Sequence, residues 1–253
     1  MDFSGRVVMV TGAGRGSGKR IAERFLERGA VVMAADLTAP DWTTEYEDRL
    51  YRTALDVSDE KSVIEAVKKV NAETEGISIL INNAGIAMGG PIQNLSLEVW
   101  NRVMNVNITG VFLCCREVVK YMLERNLTGS IINISSIAGK NAFPDSTPYC
   151  SSKAAVIGFS RSLALSVGPA GINVNAICPG TVETPMILDV IKSKISASGK
   201  SEESVRREMT DMIPMRRFQT PDDVAGLCMF LSSEDGKNIN AEAINLDGGV
   251  VRD

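Results

Sequence analysis

The chain has 253 residues, 44% of them hydrophobic, enough for one large domain with a substantial core. Its 27 basic and 31 acidic residues give a net charge of −4 with no long run of either sign, so no electrostatic footprint for nucleic acid or an anionic membrane is present. There is no histidine, which removes Ser-His-Asp and Cys-His catalysis and every His-containing zinc site. No metal is expected, and acid–base chemistry must rest on Tyr, Lys, Asp, Glu or Cys.

Apolar runs of strand length alternate with helical patterns along the whole chain. Strands are expected at 7–10, 31–35, 51–55, 77–81, 130–134, 172–177 and 243–246, and helices at about 17–29, 59–75, 97–125, 149–168 and 221–232. Several of the strand runs are continuously apolar, as in parallel strands buried on both faces. The alternation predicts an α/β fold: one domain over 1–253 with a parallel sheet covered by helices on both sides.

The first strand leads into Thr11-Gly-Ala-Gly-Arg-Gly-Ser-Gly18. Missing Cβ atoms there let backbone N–H groups approach a pyrophosphate at the start of the next helix. The spacing is T-G-x-x-x-G-x-G, set by Gly12, Gly16 and Gly18, with Ser17 breaking the strict G-x-G-x-x-G form. Asp36, with Leu37 beside it, ends the second strand. Its carboxylate suits both adenosine ribose hydroxyls and repels a 2′-phosphate, which favours NAD over NADP. Arg15 points the other way, because a guanidinium can pair with that phosphate. Asp56-Val57 ends the third strand, with Asp56 a candidate for the adenine amino group. Asn82-Asn83-Ala84-Gly85 ends the fourth, where small and amide residues suit a close nucleotide contact or an ordinary turn.

Tyr149-Cys-Ser-Ser-Lys153, with Ser136 thirteen residues earlier, carries the chemistry. A Tyr and a Lys four apart on a helix share a face. A free tyrosine with a pKa of about 10 is a poor acid or base at neutral pH. A fixed ammonium beside it is expected to lower that pKa toward the working range. Residues 184–216 break the strand–helix rhythm, polar in the middle and apolar at both ends. They are expected to form a mobile lid over the substrate, with a surface helix pair as the alternative.

Together these residues resemble the short-chain dehydrogenases/reductases of about 250 residues. The matching pieces, in family order, are Thr11–Gly18, Asp36, Asp56-Val57, Asn82–Gly85, Asn107, Ser136, Tyr149-x-x-x-Lys153 and Pro179-Gly180. The resemblance implies a seven-stranded Rossmann-like domain, NAD as cofactor and assembly as a homotetramer. It implies Tyr149 as general acid/base, Lys153 holding the nicotinamide ribose, and Ser136 rather than Ser135 on the substrate oxygen. Asn107, rather than Asn105, would bind a water in a proton relay. Pro179, Gly180, Val182 and Thr184 would lie along the nicotinamide and phosphates. Ala138, Phe143, Gly180 and Met186, with Ser136 and Tyr149, would line the substrate pocket.

Two positions depart from the family pattern: Ser17, where an aliphatic residue is usual, and Lys237–Glu242, where a Thr-Gly turn is common. The expected reaction interconverts a secondary alcohol and a ketone on a small diol, polyol or sugar. The alternatives are a 3-oxoacyl-thioester reductase and a non-catalytic cofactor-bound sensor or scaffold.

Five cysteines without a CxxC pair read as reduced apolar fillers. No apolar run reaches the ~18 residues that a membrane span needs. A strand so close to the amino terminus leaves no room for a signal peptide, so a cytoplasmic location is expected.

Overall fold

The computed structural model describes residues 1–252. Seven strands form one sheet: β1 (Val7–Thr11), β2 (Val31–Asp36), β3 (Leu50–Ala54), β4 (Ile79–Asn82), β5 (Gly129–Ile134), β6 (Ile172–Pro179) and β7 (Ala243–Leu246). Their order is β3-β2-β1-β4-β5-β6-β7, and every pairing is parallel. The order reverses direction between β1 and β4, so the crevice outside their carboxyl ends is the topological switch point where ligands bind in such sheets.

Strand alternation explains the continuous apolar runs. Val7 and Met9 pack on one face with α2 (Glu60–Glu73), α4 (Gly110–Glu124) and α5 (Thr147–Val167). Val8 and Val10 pack on the other with α1 (Gly16–Glu27) and α8 (Pro221–Leu231). Both faces are therefore covered, as a parallel sheet requires. All five cysteines are buried, and none forms a disulfide among the described residues. No helix among the described residues is long and apolar enough to cross a membrane.

All seven strands lie within two residues of their expected ends, with β6 running on through Pro179. The helix expected over 97–125 is not continuous. It comprises α3 (Leu97–Met104), a π-helical turn at Asn105–Thr109, and α4. Such turns insert a residue and re-aim side chains, and this one faces the site described below. Gly110, just after it, lets the chain pack closely on Val57: a Cβ there would lie 2.8 Å from a Val57 methyl.

Residues 184–216 contain two helices, α6 (Pro185–Ser198) and α7 (Glu202–Asp211). Ile191, Val205, Met209, Ile213 and Phe218 form an apolar cluster of their own, with Ile187 against it. Met186, Met212 and Met215 are exposed.

Candidate active site

The glycine turn is built by close backbone approach. Gly12 has φ +65°, and a Cβ on it would lie 2.8 Å from the Ala84 Cα. A Cβ on Gly18 would overlap the Gly12 carbonyl oxygen. The Asn83 side-chain amide donates to the carbonyls of Thr11 and Gly12, both at 3.1 Å. The Thr11 hydroxyl accepts from the N–H groups of Asn83 and Ala84, both at 3.1 Å. Asn83 thus braces the turn rather than offering its amide nitrogen to a nucleotide.

Helix α1 starts at Gly16 after Arg15, and no side chain caps it. A side chain caps α2, α3, α7 and α8, whereas α4, α5 and α6, like α1, have none. An uncapped helix start beside a glycine cradle offers free N–H donors and the positive end of the helix dipole to an anion. The residues present therefore fit a dinucleotide pyrophosphate. Thr184 stands across the crevice, its methyl 3.5 Å from where a Gly16 Cβ would lie.

Asp36 accepts from the Gly14 N–H through Oδ2 and from the Leu37 N–H through Oδ1, each at 2.8 Å. Gly14 carried no role in the sequence reading, although its place in the glycine run marked it. Asp56 accepts from the backbone and hydroxyl of Ser58, which orients the turn leading to Val57. Arg15 and Leu37 are exposed, and Ser17 is partly buried.

The chemical end gathers at the carboxyl ends of β4, β5 and β6. Ser136 follows β5 and is 8% exposed, and its hydroxyl accepts from the Ala138 N–H at 3.1 Å. Tyr149 and Lys153 rise from the first two turns of α5. The Lys153 ammonium, on a residue only 4% exposed, lies 5.8 Å from the Tyr149 ring centroid and donates to the Ile134 carbonyl at 2.8 Å. Ser135 donates to the Lys153 carbonyl at 2.8 Å, so it locks the helix rather than facing a substrate.

Asn107, fully buried, accepts from the Ile86 N–H at 2.8 Å and donates to the Ile86 carbonyl and the Ser152 hydroxyl. Ser152 in turn donates to the Tyr149 carbonyl at 2.8 Å. The π-turn is thereby tied to the catalytic helix, a role for Ser152 that no local motif revealed. Gly85 completes the contact: a Cβ there would lie 3.4 Å from both Asn107 Oδ1 and Lys153 Nζ.

Pro179 and Gly180 close the third side. The Gly180 N–H donates to Leu246 at 3.0 Å, and its Cα faces Gln219 and Asp247. Val182 bridges to Gln219. Phe143 and Met186 are exposed, whereas Ala138 is buried and offers a ligand little surface.

The electrostatics correct one expectation. Burial pushes the Tyr149 hydroxyl above its usual value, although the Ser136 side chain pulls it back down. Burial outweighs the expected lowering by the Lys153 ammonium, and it brings the lysine's own pKa down to about 8. Desolvation penalises both charged forms.

A lysine depressed in the fold binds fewer protons there than in the unfolded chain between about pH 8 and its usual 10.5. Stability therefore rises with pH through that window, and the cost of burying the ammonium is fully present below pH 8. Lys153→Met should stabilise the protein by about 1–3 kcal/mol at pH 7, after the lost bond to Ile134 is allowed for. The gain should shrink toward pH 10.5; urea unfolding at both values checks this, and a variant destabilised at pH 7 overturns it.

With this geometry in view, comparisons with known proteins identify the chain. A family model described as enoyl-(acyl carrier protein) reductase matches residues 12–251. The chain is 34% identical to a 3-oxoacyl-[acyl-carrier-protein] reductase of Thermotoga maritima, covering 99% of this chain and 100% of that one. It is 37% identical to galactitol 2-dehydrogenase of Agrobacterium fabrum, over 98% of each chain. Among solved structures, an actinorhodin polyketide ketoreductase with NADPH superposes with a TM-score of 0.88 at 32% identity, over 97% of each chain. These matches run through the glycine turn, the Ser136–Tyr149–Lys153 cluster and the whole sheet, and the chain belongs to the short-chain dehydrogenase/reductase family of oxidoreductases.

Proposed function

We propose that this enzyme uses NAD to interconvert a secondary alcohol and a ketone on a small diol, polyol or sugar. The observation that carries the reading is the convergence of Ser136, Tyr149 and Lys153 at the switch point beside the glycine turn. When bound, the nicotinamide supplies or accepts the hydride. The chain's own residues handle the proton and the charge. With its pKa pushed up, Tyr149 holds its proton at neutral pH, the form that donates to a ketone oxygen during reduction. Ser136 donates to the same oxygen as negative charge develops on it. Lys153, anchored at Ile134, stands behind Tyr149 and steadies the phenolate left after transfer.

A carboxylate at the end of β2 supports NAD, since Asp36 places negative charge where a 2′-phosphate would sit. The likeness to galactitol 2-dehydrogenase supports a polyhydroxy substrate. A second reading, a 3-oxoacyl-thioester reductase using NADPH, is favoured by exposed Arg15 and by the likeness to the Thermotoga maritima reductase.

We further propose that α6 and α7 close over the substrate. Their apolar cluster is separate from the sheet's two, which suits movement as a unit.

Three measurements decide these points. The ratio of kcat/KM for NAD over NADP should exceed one, and a preference for NADP sinks the Asp36 argument. Tyr149→Phe should lower kcat by about 10²–10⁴-fold while NAD still binds. Activity within threefold of the parent means another group carries the proton. Hydrogen exchange across 186–215 should slow when NAD and a substrate analogue bind together; equal protection in both states makes the segment a fixed wall.

A further inference from the structure

Between β2 and β3 the stretch from Leu37 to Tyr46 has neither helix nor strand, yet Trp42 within it is only 8% exposed. Its indole Nε1 donates to the Ala13 carbonyl at 2.9 Å. Ala13 also donates its own N–H to the Ala35 carbonyl at 3.0 Å, and the next N–H, of Gly14, goes to Asp36 at 2.8 Å. Three successive backbone groups of the glycine turn are thus held from one side. The turn cannot shift without breaking a buried bond.

Trp42 is itself secured. Arg52 donates to its carbonyl at 2.8 Å and to Glu47 at 2.8 Å. The Lys19 ammonium and the Arg52 guanidinium lie 5.7 and 5.9 Å from the indole ring, within cation–π range. Gly14 leaves no slack at the other end: a Cβ there would lie 2.8 Å from Asp36 Oδ2.

We propose that Trp42 is a positioning residue for the cofactor. It fixes the Ala13–Gly14 peptide, and through it the Asp36 carboxylate, in the binding geometry before the adenosine half of the nucleotide arrives. Ordering the turn in advance removes that cost from binding and leaves hydride transfer untouched. The proposal rests on the reading of the glycine turn as a dinucleotide site.

Trp42→Phe keeps an aromatic ring and deletes the N–H. In the ligand-free variant, amide exchange at Ala13 and Gly14 should speed up at least tenfold. Calorimetry should show the nucleotide binding about five- to tenfold more weakly, the loss of one buried hydrogen bond. KM for the nucleotide should rise by the same factor, with kcat at saturation and KM for the alcohol unchanged. Unchanged exchange and affinity overturn the proposal. So does a parallel fall in affinity and kcat, which makes Trp42 a core residue only.

If Trp42→Phe does not fold, Arg52→Met decides, since it loosens the strap without touching the indole. Faster exchange at Ala13 with weaker binding supports the clamp, and parental behaviour overturns it. Each effect is a ratio of variant to parent with whichever of NAD or NADP the parent binds. An NADP-preferring parent therefore sinks only the cofactor choice, and a parent that binds neither sinks both.

Discussion

The site depends on a lysine held where water does not reach. Lys153 is secured at three points: Ser135 on its carbonyl, the Ile134 carbonyl on its ammonium, and Gly139 against its backbone, where a Cβ would come within 2.7 Å. An ammonium buried without a carboxylate partner is costly, and its pKa falls to about 8 in response. The fold tolerates that cost because α5 is docked by other bonds. Asn133 on β5 donates to Ser160 on the same helix and accepts from Asn82 on β4. This buried polar chain fixes the helix against two strands, and the position of Tyr149 follows from it.

The same economy of motion governs the nucleotide end. Gly12 approaches Ala84 so closely that β1 and β4 present their carboxyl ends as one surface. Asn83 and Thr11 spend their polar groups inside that surface, which leaves the uncapped start of α1 as the open donor set. Asn107 and Gly85 join this surface to the lysine. The two ends of the site are therefore parts of one hydrogen-bonded body, and the geometry between cofactor and acid is inherited from the sheet.

Much of this was legible in the sequence because it is local. Apolar strand runs, the T-G-x-x-x-G-x-G turn and the Tyr149–Lys153 spacing are each set by neighbours within a few residues. The π-turn was not legible: Asn105-Val-Asn-Ile-Thr109 contains no Gly or Pro, and the side chains it ties together, Asn107 with Ile86 and Ser152, lie far apart in sequence. Trp42 escaped for the same reason, since its partner Ala13 lies in another element. The rise in the tyrosine's pKa was not legible either, because spacing reveals which charge is nearby and says nothing of how deeply both groups are buried.

The shared burial of Tyr149 and Lys153 bears on how the chemistry runs. A lysine that shares the tyrosine's burial is not a fixed positive charge. The protonated tyrosine favours donation, whereas taking a proton from an alcohol needs the phenolate, which forms more readily while Lys153 is charged. Raising the pH promotes the phenolate but discharges the lysine as it passes about 8. The two demands oppose each other, and burial of the pair, more than either residue's identity, sets where they balance.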